Sequence, residues 1–241
     1  MSTIDVRRAN ERFHTDIDWL DSWHSFSFSD HYDPKNTHHG LLRVLNDDVV
    51  AAGGGFGTHP HRDMEIVTWV LDGALEHRDS EGNVGVITRD VAQRMSAGTG
   101  IRHSEVNASK TEAVHLLQMW IPPDAFGDPP GYEQRDISND IEVNSLFPLA
   151  SGAEHIDSAI HINQDDATLW IARLTPGHTV TVPGLPFVHV FVSRGAATLD
   201  GAGDLATGDA VRLTEAGDRA LSASTDDTEV VIWAMESELA S

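Results

Sequence analysis

The chain has no cysteine among its 241 residues. That absence removes disulfides, thiolate metal sites, CxxC redox chemistry and cysteine nucleophiles together. Any metal would have to be held by histidine, aspartate or glutamate. Positive charge is also scarce: 16 Lys+Arg stand against 38 Asp+Glu, a formal charge of −22. Nucleic-acid phosphates and anionic membrane surfaces both require a cationic face, so direct docking on either is disfavoured. The carboxylates are spread along the chain without forming an acidic tail, as a heavily solvated surface would have them. Long apolar runs are missing too. Nothing approaches the roughly 18 residues of a membrane span, and Met1 to Arg8 carries charges where a secretion signal needs an apolar core. The expectation is a soluble, cytoplasmic protein. Against these absences stand 14 histidines, nearly as many as all the lysines and arginines together.

At one domain per roughly 150 residues, this length makes one large domain or two small ones. Ile66 to Leu71, Leu116 to Ile121, Val188 to Val192 and Val230 to Ala234 are short and rich in β-branched and aromatic residues. Turn signals recur between such segments, at Asp72-Gly73, Ser80-Glu81-Gly82-Asn83, Ala97-Gly98-Thr99-Gly100 and Gly201-Ala202-Gly203. This spacing predicts an all-β chain of sandwiches or barrels. No stretch sustains a 3.6-residue period. The one helix expected is short, near Asp124 to Gln134, where Pro129-Pro130-Gly131 works against it. Pro, Gly, Ser, Asp and Asn accumulate from Pro122-Pro123 to about Gly152, which places the join between two β domains there, with residues 1–130 and 131–241 as the units. The halves echo each other. Phe191-Val192-Ser193-Arg194-Gly195-Ala196 follows Trp69-Val70-Leu71-Asp72-Gly73-Ala74 by 122 positions, and both read strand, turn, strand, as in a duplicated barrel.

The chemistry concentrates in two stretches. Gly55-Phe56-Gly57-Thr58-His59-Pro60-His61-Arg62-Asp63-Met64-Glu65 is followed some 40 residues later by Gly98-Thr99-Gly100-Ile101-Arg102-His103-Ser104-Glu105-Val106-Asn107. Each holds two metal-ligand residue types at i and i+2, which in a strand project from one face. Two neighbouring strands would therefore bring His59, His61, His103 and Glu105 together. Three imidazoles and one carboxylate leave one or two positions open on a six-coordinate ion, as a catalytic centre needs. Nitrogen with oxygen and no sulfur suits Fe, Ni, Mn, Cu or Zn and argues against Mg and Ca.

These residues also carry a family resemblance. His59-Pro60-His61-Arg62-Asp63-Met64-Glu65 with Gly73 resembles the first cupin motif, and Ser96-Ala97-Gly98 leading to His103 and Asn107 resembles the second. More closely, Trp23-His24-Ser25-Phe26-Ser27-Phe28, Leu42-Arg43-Val44-Leu45-Asn46-Asp47-Asp48, Gln93-Arg94-Met95-Ser96-Ala97-Gly98-Thr99-Gly100 and His103-Ser104-Glu105 resemble the pirin family. The likeness is dense from Arg7 to Pro123 and thins to Gly131-Tyr132-Glu133-Gln134 and His161-Ile162-Asn163-Gln164-Asp165. It implies a bicupin, two jelly-roll β-barrels in one chain, whose N-terminal barrel binds one divalent metal, usually Fe(II), through His59, His61, His103 and Glu105. Glu65 stands where many cupins place their carboxylate ligand. In pirins that role passes to the position of Glu105, so Glu65 is expected just outside the ligand set. At the offset of 122, His59 and His61 fall on Thr181 and Pro183, and the second pair falls near Ser222 and Ser224, which implies a C-terminal barrel without a metal site.

Bacterial pirins include enzymes with quercetin 2,3-dioxygenase activity. The resemblance thus implies a dioxygenase whose partners are dioxygen and a small aromatic flavonol, opening the ring with release of carbon monoxide and using Glu105 as general base. Two other readings stand beside it. Eukaryotic pirins are described as iron-dependent regulators that bind transcription factors, which implies a protein partner, and a detoxifying cupin with incidental flavonoid turnover is the third. Met95, Trp120, Phe56 and Phe26 are candidate pocket walls or plain core. His24 is a candidate for the metal's surroundings or for a buried hydrogen-bonded role. His38, His39, His77, His115, His155, His161, His178 and His189 have no partner at ligand spacing and receive no role.

Overall fold

The computed structural model describes residues 1–239. Among these residues the only helical turn is the 3-10 segment Ala9–Glu11, and the rest of the regular structure is strand. Each barrel consists of one seven-stranded and one four-stranded sheet. In the N-terminal barrel the large sheet has Glu65–Asp72 and Val114–Ile121 at its centre, and the small sheet pairs Gly55–His61 with Ile101–Asn107 and Ile101–Asn107 with Ala74–Asp79. The C-terminal barrel repeats the plan, with Phe187–Arg194 and Thr228–Met235 central in the large sheet and Arg219–Ala223 in the small one.

The large sheets pack against each other. Val67, Trp69, Leu71, Leu117 and Met119 share one buried cluster with Leu169, Ile171, Phe191, Val231 and Trp233. Their central strands are thus covered on both sides, by the other barrel and by their own barrel's interior. This is why Val230 to Ala234 reads as a continuous apolar run, and Ile66 to Leu71 as one broken only by Thr68, without the alternation of a half-exposed strand.

The duplication expected from the sequence is present: Phe187–Arg194 occupies in its sheet the place of Glu65–Asp72, 122 positions earlier. Both strands end in a glycine with positive φ, Gly73 (82°) and Gly195 (70°). A side chain at Gly73 would also strike the Ala113 carbonyl, with its Cβ 2.6 Å away. The offset does not hold further along. Glu105 lies opposite His77 in one small sheet, and Leu221 lies opposite Leu199, the counterpart of His77, in the other. His59 opposes His103 where Val182 opposes Arg219. The C-terminal counterparts of His59, His103 and Glu105 are therefore Val182, Arg219 and Leu221, and not Thr181, Ser222 and Ser224, because the turns between strands differ in length; the same shift of one residue moves the counterpart of His61 off Pro183. Val182, Leu199 and Leu221 are fully buried in an apolar interior.

Two further expectations are corrected. Asp124 to Gln134 forms no helix; its last residues belong to the strand Gly131–Asp136, which pairs with Val91–Ser96. Pro129 and Pro130 have no amide to donate, and the Asp128 carbonyl accepts instead from the Thr99 amide at 2.8 Å. The 130/131 division is crossed in both directions, since Gly131–Asp136 completes the N-terminal large sheet while Thr3–Arg7 pairs with Ala210–Thr214 in the C-terminal one. The chain changes barrel over residues 137–146, inside the turn-rich segment.

Polar ties cross the inter-barrel face. Glu65 lies on that face with Val67 and Trp69, opposite in direction to Ile66 and Thr68. It accepts from Ser96 Oγ at 2.7 Å, the Asn163 amide at 3.1 Å and Asn163 Nδ2 at 3.2 Å. It is therefore a clamp on the C-terminal half, not a neighbour of the candidate ligands His59, His61 and His103. Buried Glu229 accepts from Trp69 Nε1 at 3.0 Å and Arg173 Nε at 2.8 Å, and Arg173 also reaches Asp90.

Arg173→Met should leave Glu229 a buried carboxylate with only Arg89, 3.7 Å away, for charge, lowering stability by about 3 kcal/mol, read as a lower midpoint in urea unfolding. Glu65→Gln, which turns one accepting oxygen into a donor facing Asn163, should lower stability by about 1–3 kcal/mol, read from the same transition. An unshifted midpoint would overturn the clamp.

Candidate metal centre and its cavity

Gly55–His61 and Ile101–Asn107 pair antiparallel, with His59 opposite His103 and His61 opposite Ile101. The register slips between His103 and Glu105, so that Glu105 opposes Phe56. The extra residue bulges the Gly57-Thr58 part of the strand, which re-aims the side chains on either side of it. At Gly55 the strands come so close that a Cβ would sit 2.5 Å from the Val106 Cα.

One nitrogen each from His59, His61 and His103 lies within 4.8 Å of the others. His59 Nδ1 donates to the Gly57 carbonyl at 2.7 Å, which leaves its Nε2 bare. That Nε2 is 3.0 Å from His103 Nε2, and the buried His61 Nε2 has no partner at all. Burial and the neighbouring imidazoles, His59 first, push His103 down to about 2, and burial and His59 push His61 down to about 4. Both rings are thus neutral at physiological pH. Lone pairs gathered without enough donors are what a transition-metal cation satisfies, and the residues present fit one. Glu105 belongs to a second grouping, within 4.8 Å of nitrogens of His77 and His103.

Glu105 is buried and its position is fixed from the large sheet. Gln118 Nε2 donates to it at 2.6 Å, and Trp120 Nε1 donates to Gln118 Oε1 at 3.1 Å, which settles which way the Gln118 amide faces. Burial pushes the Glu105 carboxyl up to about 7 against the hydrogen bonds from Gln118 and Thr68.

His59, His61 and Glu105 open on a cavity of about 400 Å³. Phe56, Trp19, Phe28 and Trp120 supply aromatic walls; Ser22, His24, Asn46, Asp48 and Gln118 form a polar wall across from His59 and His61. Trp120 also meets the His61 ring edge-on, centroids 4.7 Å apart. His24 Nδ1 is 2.9 Å from Asn46 Oδ1, and burial lowers its pKa against that bond. Asp48 takes its only hydrogen bond from Ser22 Oγ, and burial pushes it up to about 7.

Of the predicted residues, the structure brings His59, His61 and His103 to one point and sets Glu105 beside His103. His24, Phe56 and Trp120 line the cavity as candidates. Phe26 and Met95 do not; each is buried in a hydrophobic cluster. Sequence reasoning assigned no role to Asp48, Gln118 or His77. Gln118 is marked by being the one amide among Leu116, Leu117, Met119 and Trp120. His77 is wholly buried, its Nδ1 3.5 Å from His103 Nδ1 and its Nε2 3.2 Å from Asp79 Oδ2. Its one signal is the His77-Arg78-Asp79 spacing.

Family models match both halves: Pirin over residues 5–121 and Quercetinase C-terminal cupin domain over residues 149–234. A Mycobacterium tuberculosis protein, Rv0181c, is 54% identical over 238 residues, 99% of this chain and 97% of its own. The Escherichia coli protein named quercetin 2,3-dioxygenase is 43% identical over 232 residues, 95% of this chain and 97% of its own. The solved bacterial pirin YhhW from Escherichia coli, in complex with nickel(II), superposes with a TM-score of 0.89 at 39% identity, covering 98% of this chain and 100% of that one. With both barrels matched and such identity along nearly its whole length, the chain belongs to the pirin family and has its two-cupin fold.

Proposed function

We propose that this protein is a metal-dependent dioxygenase that opens the ring of flavonols such as quercetin and releases carbon monoxide. The observation that carries the reading is the gathering of nitrogens of His59, His61 and His103 beside an aromatic-walled cavity that His59, His61 and Glu105 line. Glu105 completes the ligand set, and the preferred ion is Fe(II), with Ni, Mn, Cu and Zn able to take the same donors. The name of the Escherichia coli relative and the nickel in YhhW support the reaction and the metal site respectively.

A cavity of about 400 Å³ lies within the range of roughly 300–1,000 Å³ typical of small-molecule sites. Phe56 and Trp120 hold a flat ring system between aromatic faces. Once bound, the metal supplies Lewis-acid stabilisation of an enolate and a path for electrons to dioxygen. The protein's own part is proton handling and exclusion of water. Glu105 takes the proton of the flavonol hydroxyl as general base, and the Trp120–Gln118–Glu105 chain of hydrogen bonds holds the carboxylate on one bearing while it does so. Both atoms of dioxygen enter the opened product as one ring carbon leaves as carbon monoxide.

One equivalent of metal per chain is expected by elemental analysis, and His59→Ala or His103→Ala should empty the site; two equivalents, or full occupancy in both variants, would refute the ligand set. Metal-loaded protein should consume oxygen with quercetin and release carbon monoxide, and chelation should abolish both. Glu105→Gln keeps the shape and one carbonyl oxygen but not the accepting charge, so turnover should fall about 10²- to 10⁴-fold under excess metal while occupancy is largely kept. Metal-replete protein that takes up no oxygen with any flavonol would sink the enzymatic reading.

A further inference from the structure

His77 lies outside the cavity and has no part in the reaction above, yet it is fully buried against a proposed ligand. In the small sheet His103 pairs with Asp79, and Glu105 pairs with His77. All four side chains therefore leave the same face of two adjacent strands. The His77 and His103 rings are 5.3 Å apart between centroids. Tyr132 covers the other side of His77, ring centroids 4.9 Å apart, while its hydroxyl is spent on Gln134 Oε1 at 2.7 Å. Water is kept from His77, whose hydrogen-bond partners are His103 and Asp79 and whose one other polar neighbour is Glu105, within 4.8 Å.

The proton count along this line has one solution once His103 binds a metal. His103 Nε2 is the nitrogen turned toward His59, so as a ligand it is bare and the ring's single proton sits on Nδ1. That Nδ1–H faces His77 Nδ1 at 3.5 Å, which must then be bare to accept it. The His77 proton is left on Nε2, where Asp79 Oδ2 accepts it at 3.2 Å. Asp79 is itself firmly anchored, since its side chain is wholly buried and accepts from the Glu81 amide at 3.0 Å and from the Asn83 amide and Nδ2 at 2.9 Å each.

We propose that Asp79 and His77 are positioning residues for the metal centre, a carboxylate–imidazole pair that fixes the tautomer and ring orientation of His103. The inference rests on the reading of His103 as a metal ligand. Each donor in the line pushes electron density toward the next ring, so the pair makes His103 Nε2 a stronger donor as well as a better aimed one. Outer partners of this kind typically contribute about 10- to 100-fold in metal affinity or activity.

Zinc is a suitable probe because it is diamagnetic and needs no turnover. In zinc-loaded, 15N-labelled protein the His77 ring should show a bare Nδ1 and a protonated Nε2. Chelator competition should show zinc held about 10- to 100-fold less tightly by His77→Phe, with part of the affinity restored in His77→Gln, whose carbonyl can again accept from His103 Nδ1–H. A protonated His77 Nδ1, or wild-type affinity in His77→Phe, would overturn the proposal. So would a second equivalent of zinc that disappears in His77→Phe, since His77 would then be a ligand itself. Should His77→Phe fail to fold, Asp79→Asn takes its place in the competition, with weakened binding expected and unchanged binding overturning the inference. His59→Ala and His103→Ala separate the two levels: if both retain zinc, the ligand set is wrong, whereas if both lose it and His77→Phe does not, only the positioning role fails.

Discussion

Burial of two seven-stranded sheets against each other is the constraint on which the rest of the molecule depends. A strand sends successive side chains to opposite faces. Once one face of Glu65–Asp72 or Val114–Ile121 is committed to the other barrel, the remaining positions must fill their own barrel. Glu65, Val67 and Trp69 go outward to the inter-barrel core, and Ile66, Thr68 and Val70 go inward. On the neighbouring strand Leu117 and Met119 go outward, and Leu116, Gln118 and Trp120 inward. The alternation thus delivers Thr68 and Gln118 to Glu105 and denies Glu65 any approach to it.

The two barrels use this common plan differently. The C-terminal interior is closed with Val180, Val182, Leu199 and Leu221, side chains that gain by leaving water and ask for no partner. The N-terminal interior gives up that gain to keep a cavity bordered by polar groups, and a buried polar group without a partner costs stability. Most of its members are therefore paired off: Ser22 with Asp48, Asn46 and Thr15 with His24, Gln118 with Glu105. The His61 nitrogen stands apart as the one left open on the cavity side.

The β class, the duplicated barrel and the convergence of His59, His61 and His103 with Glu105 beside His103 were legible in the sequence because each depends on local order: short β-branched runs, a repeated strand-turn-strand, and i, i+2 spacing on a strand. What escaped depends on which strands become neighbours. His77 meets His103 only because Ala74–Asp79 lies beside Ile101–Asn107, and Asn163 meets Glu65 only because the barrels dock. The C-terminal counterparts of the ligands were misaligned for a related reason, since one offset cannot describe strands separated by turns of unequal length. The helix expected near Asp124 failed on information already present, as Pro129 and Pro130 withhold two amides from it.

Asp47 and Asp48 show how far the sheet alone can set the chemistry of the site. They are adjacent in sequence and differ only in the face they take. Burial pushes Asp47 up, but hydrogen bonds from His115 at 2.6 Å and Arg12 at 3.0 Å outweigh it and hold the carboxyl below its usual range. Asp48 faces the cavity and has no ion pair, and burial, helped by the nearby Asp47 and Glu105 carboxylates, carries it to about 7 against the Ser22 hydroxyl and the more distant His115. The cavity wall therefore presents a carboxyl that can be neutral near pH 7, while its neighbour remains a structural anion. A one-residue slip of Val44–Val50 would exchange the two and bring an arginine-paired carboxylate into the cavity that His59 and His61 line. The pairing of Leu116 with Asp48 and of Leu117 with Asp47 is thus as much a part of the site as the histidines are.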